Sequence, residues 1–242
     1  MMKMKHISKY FFSILLILCS ISIKAQEKDS VVVPPKIERY GVRVGADLSK
    51  IARTLYDNNY QGLELVGDFR LTKKYFLAGE LGTENKTTND DQFNFTTKGT
   101  YFKVGFDYNA HENWLDLENM ISIGLRYSLS TFSQEVNSYE VYNTNPYFGE
   151  IPNTQPGKQF SGLSAQWIEV VAGLKTRVFN NFFVGFTLRG NYLVSNQKPG
   201  NFDNLYIPGF NRTYDGKFGV GFNYTLTYFV PIYKKKVVVK KL

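Results

Sequence analysis

Apolar and polar side chains alternate with a period of two in eight segments of this chain. The last of them is Lys217–Tyr228, where Phe, Val, Tyr and Leu alternate with Lys, Gly, Asn and Thr. This period places the two sets on opposite faces of a strand, so one face meets an apolar phase. The predicted strands are 40–49, 60–70, 75–84, 99–109, 119–132, 163–177, 182–194 and 215–229.

The predicted connections alternate strictly between long and short. The odd-numbered connections have about 10, 14, 30 and 20 residues, whereas the even-numbered ones are 71–74, 110–118 and 178–181. This asymmetry is typical of outer-membrane barrels, which have short periplasmic turns and long outer loops. Segments of about ten residues suit tilted membrane strands better than the shorter strands of a soluble sandwich.

The pattern therefore predicts an all-β fold, an eight-stranded antiparallel up-and-down transmembrane β-barrel over residues 40–230. Closure removes the exposed sheet edges, which lets the backbone satisfy its hydrogen bonds in lipid. An even number of strands returns both termini to the same side. We expect that side to be the periplasm, which would hold an N-terminal segment, 26–39, and a basic tail, 231–242.

The first 25 residues have the composition of a secretory signal peptide. Three lysines precede the apolar stretch 11–23, and Ala25 is a plausible cleavage point. The uninterrupted apolar run is too short to cross about 30 Å of hydrocarbon as a helix. Cys19, the only cysteine, is expected to leave with this segment, so we expect neither a disulfide nor thiol chemistry in the mature chain.

The formal net charge of +8 is concentrated at the two ends of the chain. Residues 26–233 contain 20 basic and 21 acidic side chains, because four lysines lie in the signal and five in the tail. A nearly neutral body argues against nucleic-acid binding, despite a basic isoelectric point.

The polar face of the predicted strands carries both signs of charge. An eight-stranded barrel is just wide enough for side chains to fill it, and buried charges persist only when they are paired. We therefore expect a solid interior of ion pairs, with a narrow solute path as the alternative. The main predicted interior charges are Arg43, Asp47, Glu64, Asp68, Lys103, Asp107, Arg126, Glu169, Lys175 and Arg189.

The fifth and seventh connections are unusually rich in aromatic residues and proline. Tyrosine and phenylalanine anchor interfaces, and proline reduces the entropy lost on docking. These loops are predicted either to contact a partner or to pack over one another and the barrel rim. The candidate contact residues are Tyr139, Tyr142, Tyr147, Phe148, Phe202, Tyr206 and Phe210.

The last strand contains a polar residue, a glycine two positions later and then two alternating aromatics: Lys217, Gly219, Phe222 and Tyr224. This pattern resembles the outer-membrane assembly signal. Together with the strand count, it makes the chain similar to the small barrels of the OmpA-transmembrane and OmpX type. The Ala25-Gln26 junction and the aromatic strands resemble Bacteroidota outer-membrane proteins. The resemblance implies contact with outer-membrane lipid and with the barrel-assembly machinery, but it carries no functional residue.

Candidate chemistry is sparse. His111, the one histidine outside the signal, lies in a short connection on the predicted periplasmic side, away from the long loops. Asp90 and Asp91 lie in a polar loop but lack the glycine-punctuated spacing of a calcium site, so no metal or cofactor is predicted. The short sequence Asp29-Ser30-Val31 resembles a Bacteroidota O-glycosylation site, which makes Ser30 a candidate for modification.

Three functional hypotheses follow. The first is a non-enzymatic outer-membrane barrel with a structural or interaction role, with other envelope proteins as its partners. The second is a narrow channel for ions or small solutes, in which inward glycines such as Gly45, Gly105, Gly124 and Gly185 leave space between charge pairs. The third is a lipid-modifying enzyme, which rests on barrel size alone.

Overall fold

A computed structural model describes residues 36–89, 93–111, 118–139, 158–198, 204–211 and 216–237. Within these ranges the chain forms eight strands and one helix. The strands are β1 (Lys36–Asp47), β2 (Tyr60–Arg70), β3 (Tyr75–Asn89), β4 (Phe93–Asn109), β5 (Met120–Tyr139), β6 (Lys158–Phe179), β7 (Phe182–Asn196) and β8 (Phe218–Val237). The helix, α1 (Leu48–Tyr56), follows β1.

The strands form one closed antiparallel barrel in which the ring order follows the chain order. The closing contact joins β1 to β8, where a Cβ added to Gly45 would lie only 1.9 Å from the carbonyl oxygen of Leu226. The missing side chain lets the two backbones approach closely at this point. The predicted all-β, eight-stranded antiparallel barrel is confirmed. The barrel lies in one compact unit, Ile37–Lys235. A second unit consists of the two chain ends, of which the structure describes only Lys36, Lys236 and Val237.

The outer surface of the barrel is apolar. Outward side chains such as Leu81 on β3, Leu125 on β5 and Phe222 on β8 are 57%, 57% and 63% exposed. Aromatic pairs lie towards both rims: Phe182 with Tyr228, centroids 5.0 Å apart, and Tyr192 with Phe218, 5.2 Å apart. Polar side chains occupy the interior and apolar side chains the outer surface. This distribution is the reverse of the one in a soluble barrel.

The two rims have different connections. Tight connections join β2 to β3 through Leu71–Lys74 and β6 to β7 through two asparagines, and this rim is called the turn end. Asn181 has φ of 66°, a left-handed conformation that asparagine tolerates better than most residues. The opposite rim, which carries α1 and the β7–β8 connection, is called the loop end.

Several strands are longer than predicted. The β3–β4 hairpin extends to Asn89 and resumes at Phe93, so most of the predicted third loop is strand. The outer part of β3 is polar on both faces, with threonine, asparagine and lysine, and in the outer part of β4 only Phe93 and Phe95 alternate with a polar residue, which is too short a run to predict a strand. At the other rim β8 continues to Val237, beyond the predicted start of the tail.

Helix α1 was not predicted. Asp47 caps its N-terminus by accepting a hydrogen bond from the Ser49 amide at 2.9 Å. Thr54 ties the helix to β2, because its hydroxyl accepts a hydrogen bond from the Gly62 amide at 2.9 Å. No helix among the described residues is long and apolar enough to cross a membrane.

Candidate functional site

The interior of the barrel is the best-defined candidate site. The register directs alternate side chains of every strand inwards, and nine of the predicted interior charges are at most 6% exposed: Arg43, Asp47, Glu64, Asp68, Lys103, Asp107, Arg126, Glu169 and Arg189. Lys175, the tenth, has a side chain that is 15% exposed. Glu80 and Glu84 are also buried within the barrel.

Four of these side chains form a central cluster: Glu80, Lys103, Glu169 and Arg189. The Arg189 guanidinium donates to Glu80 at 2.7 and 3.0 Å and to Glu169 at 2.9 Å. Lys103 Nζ lies 2.8 Å from Glu169, which also accepts from the indole nitrogen of Trp167 at 2.7 Å. Each buried charge therefore has an opposite partner, without which its desolvation would cost several kcal/mol.

Further ion pairs continue towards the turn end. The Arg126 guanidinium donates to both oxygens of Asp107, each at 2.8 Å. Next to the turn end, Asp68 accepts from Arg43 Nε at 2.6 Å and from Lys175 Nζ at 2.5 Å. The pairing of predicted interior charges therefore extends through this half of the barrel.

A second polar cluster lies towards the loop end. The Asn223 amide donates to Asp47 and to Glu64, both at 2.6 Å. Lys50 of α1 reaches into the barrel, pairs with Glu84 and lies 3.6 Å from Glu64. Burial lowers the pKa of Lys50, but the Glu84 and Glu64 carboxylates outweigh this and raise it above its ordinary value. Sequence reasoning missed Lys50 because it assigned residues 50–59 to a loop.

Part of the β7–β8 connection folds into the loop end of the barrel. This segment, residues 204–211, is called the plug. Ile207 and Phe210 are fully buried, and the Phe210 ring meets Trp167 edge-on with centroids 5.6 Å apart. Tyr101, Phe132, Leu163, Ala165 and Leu193 complete this apolar cluster. The plug and the central cluster together fill the loop-end half of the bore.

Hydrogen bonds to one carboxylate hold the plug in place. Glu84 accepts from the Tyr206 hydroxyl at 2.7 Å and from the Gly209 amide at 3.0 Å. Gly209 has φ of 81°, and an added Cβ would lie 2.5 Å from the Tyr101 ring, so this position requires glycine. Burial raises the pKa of Tyr206 well above its ordinary value, and the neighbouring Glu84 carboxylate adds to this shift.

The plug corrects part of the predicted contact surface. Tyr206 is 3% exposed and Phe210 is fully buried, so the prediction that they contact a partner is wrong for both. The alternative interpretation, packing against the barrel rim, applies because Trp167 and Glu84 provide partners for a ring and a hydroxyl. Tyr139 ends β5, and its side chain is not described. The other four predicted contact residues, Tyr142, Tyr147, Phe148 and Phe202, lie outside the described residues.

The residues of the proposed assembly signal lie in three environments. Phe222 and Tyr224 face outwards, at 63% and 45% exposure. Gly219 faces inwards under the Phe210 ring, whose nearest atom is 2.7 Å from an added Cβ. Lys217 is exposed in the turn before β8, so its expected place on the inward face is wrong. The role of these residues in assembly stays a prediction.

Neighbouring groups approach the inward glycines of the channel hypothesis closely. An added Cβ would lie 1.8 Å from the Leu125 carbonyl oxygen at Gly105 and 2.0 Å from Asp107 Oδ1 at Gly124. At Gly185 it would lie 2.6 Å from Thr225 Oγ1. The space beside each glycine is already occupied, so these positions do not supply the gaps that the channel hypothesis expected.

The turn end, in contrast, contains an opening between inward side chains, which is called the vestibule. Its wall includes Arg43, Arg70, Phe76, His111 and Phe229. His111 is the histidine considered above for enzymatic chemistry, and its backbone amide donates to Asn109 at 3.2 Å. Across the described ranges, no group of three histidine, cysteine or carboxylate side chains is arranged to hold a metal ion.

Comparison with known proteins places this fold in a family. Residues 7–235 match the family described as a domain of unknown function, DUF6048. The chain belongs to this family. No curated protein matches it. A solved structure to which this chain is similar is Ail, the attachment invasion locus protein of Yersinia pestis, at 10% identity and a TM-score of 0.41, covering 79% of this chain and 97% of Ail.

Proposed function

We propose that this member of the DUF6048 family is an outer-membrane β-barrel that serves as a non-enzymatic structural or interaction protein of the cell envelope. The observation that carries the proposal is the filled loop-end half of the interior. The central cluster and the plug occupy the bore with paired charges and apolar rings, within an apolar outer wall. Such a barrel presents surfaces to lipid and to partners, and offers solutes no continuous path.

The outer wall supports insertion into a membrane. A closed sheet satisfies its backbone hydrogen bonds internally, and its outward leucine, phenylalanine and valine side chains suit a hydrocarbon phase. The short connections support a periplasmic turn end, which would place both ends of the barrel-forming chain on the periplasmic side. Outer-membrane lipid and the assembly machinery are the partners expected of any such barrel.

Planar-bilayer recording of the purified full-length barrel tests the solid interior. We expect no reproducible conductance steps from the wild-type protein, because Lys103 and Arg189 are held by carboxylates on both sides. Reproducible ion-selective steps that change in an Arg126→Ala variant would overturn this part of the proposal in favour of a channel. Vesicles without protein and a large porin provide the negative and positive controls.

Cysteine labelling on intact cells tests membrane location and orientation. A cysteine at Lys73, in the turn end, should react with a membrane-impermeant thiol reagent only after the outer membrane is opened. A cysteine at Tyr142, in the long fifth connection, should react on intact cells. Labelling at Lys73 without permeabilisation would contradict the orientation. Because Cys19 lies in the predicted signal, the background should be low.

A substitution on the outer wall tests the lipid face separately. Leu125→Arg places a charge at an outward position on β5 and should cost about 2–4 kcal/mol near the bilayer midplane. The expected result is reduced assembly in a heat-modifiability assay, which distinguishes folded from unfolded barrels by gel mobility. Normal assembly of this variant would contradict lipid exposure at Leu125. Co-purification in mild detergent then tests for envelope partners, and a strictly solitary monomer would remove the role in an assembly.

A further inference from the structure

The vestibule at the turn end has more cations than carboxylates in its wall. Its charged members are Arg39, Arg43, Arg70, Lys73 and Lys74, and Glu38, Asp68 and Glu118. Each of the three carboxylates is already within 3.0 Å of an arginine. Asp68 is shared with a further cation, Lys175, at 2.5 Å. The described part of the vestibule therefore has an excess of positive charge.

Arg43 gives this excess a specific position. Arg43 as a whole is 4% exposed, and its guanidinium lies between the Phe76 and Phe183 rings, 4.8 and 5.4 Å from their centroids. Nε donates to Asp68, but the acceptor for Nη2 is the Met120 sulfur at 3.5 Å. A thioether is a weak acceptor, so one edge of a buried guanidinium lacks the oxygen partner that it would normally have.

The neighbouring groups determine what would bind there. Arg70 is fixed by the Arg39 carbonyl oxygen at 2.9 Å and by Glu38 at 3.0 Å, and its guanidinium lies 4.7 Å from the Tyr40 ring centroid. Aromatic side chains, including Phe229, form the apolar part of the same wall. The wall thus places fixed positive charge beside aromatic rings, which suits an anionic group attached to a small apolar one.

We infer that the vestibule binds the C-terminal carboxylate of an extended peptide with a small apolar last side chain. The open space has a volume of about 50 Å³, which suits a chain end better than a bulky headgroup. A planar carboxylate would be a stronger acceptor than the Met120 sulfur for this edge of the Arg43 guanidinium, while the rings accommodate the side chain. The opening is lined by inward side chains, so its ligand arrives from the aqueous side and not from the lipid around the outer wall.

The proposed peptide site depends only on residues of the turn end. It can therefore bind its ligand whether or not the barrel conducts ions. The test uses the full barrel in detergent micelles with N-acetyl-alanyl-alanine as the probe. Titration by saturation-transfer NMR should show saturable binding. The same peptide with a C-terminal amide should bind roughly tenfold more weakly, because it lacks the charge that the arginine donors favour.

Two variants locate the site. Arg43→Gln should weaken binding roughly tenfold, and Asp68 keeps Lys175 as its partner, so the barrel should still fold. Lys73→Gln, at a side chain that is 56% exposed, should weaken binding by a smaller factor without affecting the fold. The matched control is Arg53→Gln, which removes an arginine from α1 at the opposite rim and should leave binding unchanged.

Four outcomes would overturn the inference. The first two are the absence of saturable peptide binding and equal affinity for the free carboxylate and the C-terminal amide. The third is a loss of affinity in the Arg53→Gln variant as large as that in Arg43→Gln. The fourth is displacement of the peptide by inorganic phosphate at the same concentration. The last result would assign the vestibule to anions in general. A loss confined to Arg43→Gln and Lys73→Gln, together with preference for the free carboxylate, supports it.

Discussion

At the loop end, apolar rings and a folded-in chain segment close the barrel, whereas at the turn end charged side chains surround an opening. The plug places Phe210 against Trp167 and fixes Tyr206 on Glu84. At the other rim, Arg43 borders the vestibule with a sulfur as one of its acceptors. The loop-end half is therefore closed by a segment from outside the strands, whereas the turn-end half retains an opening that Arg43 borders.

This difference shows that an ion-pair network alone does not decide whether a barrel is accessible. Both halves contain buried charges, and in both most of these charges are paired. What distinguishes the loop end is a segment from outside the strands that contributes apolar surface, together with Lys50 from α1. Substitutions in the two halves should consequently have effects of different size.

The largest effect is expected at the junction of the two halves. Glu169→Gln removes the carboxylate closest to Lys103 and leaves Lys103 and Arg189 to share Glu80, and breaking a buried ion pair costs about 3–5 kcal/mol. Urea-induced unfolding of the barrel in lipid vesicles should show this loss. Glu135→Gln, at an exposed position on β5, is the control and should change stability by less than about 0.5 kcal/mol. Equal stability of the two variants would contradict the ion-pair assignment.

Loosening the plug should have the next largest effect. Phe210→Ala removes a fully buried ring and should cost about 3 kcal/mol in the same assay. In a Trp114→Phe background, fluorescence of Trp167 should also become more accessible to iodide, because its edge-on partner is gone. Phe222→Ala, at a 63% exposed outward position, is the control and should leave quenching unchanged. Unchanged quenching in the Phe210 variant would mean that the plug does not cover Trp167.

Removing the helix contact should cost less. Lys50→Gln leaves Glu84 without its cation and should reduce stability by about 2 kcal/mol, typical of hydrogen bonds to charged groups. Because the folded-state pKa of Lys50 is above its unfolded value, its contribution is complete below about pH 10.4 and is lost only as pH rises through the folded-state pKa. The difference from wild type should therefore be constant between about pH 7 and 9. A difference that disappears in that range would refute the assignment.

The smallest effect is expected at the rim of the vestibule. Lys73 lies 3.9 Å from Glu38 and its side chain is 56% exposed, so Lys73→Gln should change stability by less than about 0.5 kcal/mol. Thermal unfolding in detergent provides the comparison with the three variants above. A loss as large as that of Lys50→Gln would show that the turn end is as tightly built as the loop end.

The alternation of side chains was sufficient to predict the barrel and its inward face. Residues such as Arg126 and Leu125 are adjacent in sequence yet lie on opposite faces, because the period of two has a direct physical cause. The outer part of β3 was missed because both of its faces are polar, and the outer part of β4 because the alternation of Phe93 and Phe95 is too short to predict a strand. Where no apolar phase meets either side, the sequence contains no signal to distinguish strand from loop.

The plug and α1 could not be derived from the same pattern. Aromatic residues in a loop favour burial, but they do not reveal whether the covering surface is another protein or the chain itself, as Phe210 illustrates. Helix α1 has only nine residues, too few for a reliable helical period, although Asp47 followed by Ser49 offered a capping signal. Contacts between distant segments, such as Lys50 with Glu84, depend on the three-dimensional register.

The seam between β1 and β8 has a consequence for biogenesis. Because ring order follows chain order, these neighbours are the most distant strands in sequence, and Gly45 meets a backbone oxygen of Leu226 about 180 residues away. Until that seam forms, the sheet has two unpaired margins that hydrocarbon cannot satisfy. In the proposed membrane location a truncated chain would therefore be unstable in the bilayer, and insertion would have to be concerted or be guided by a protein that covers both margins.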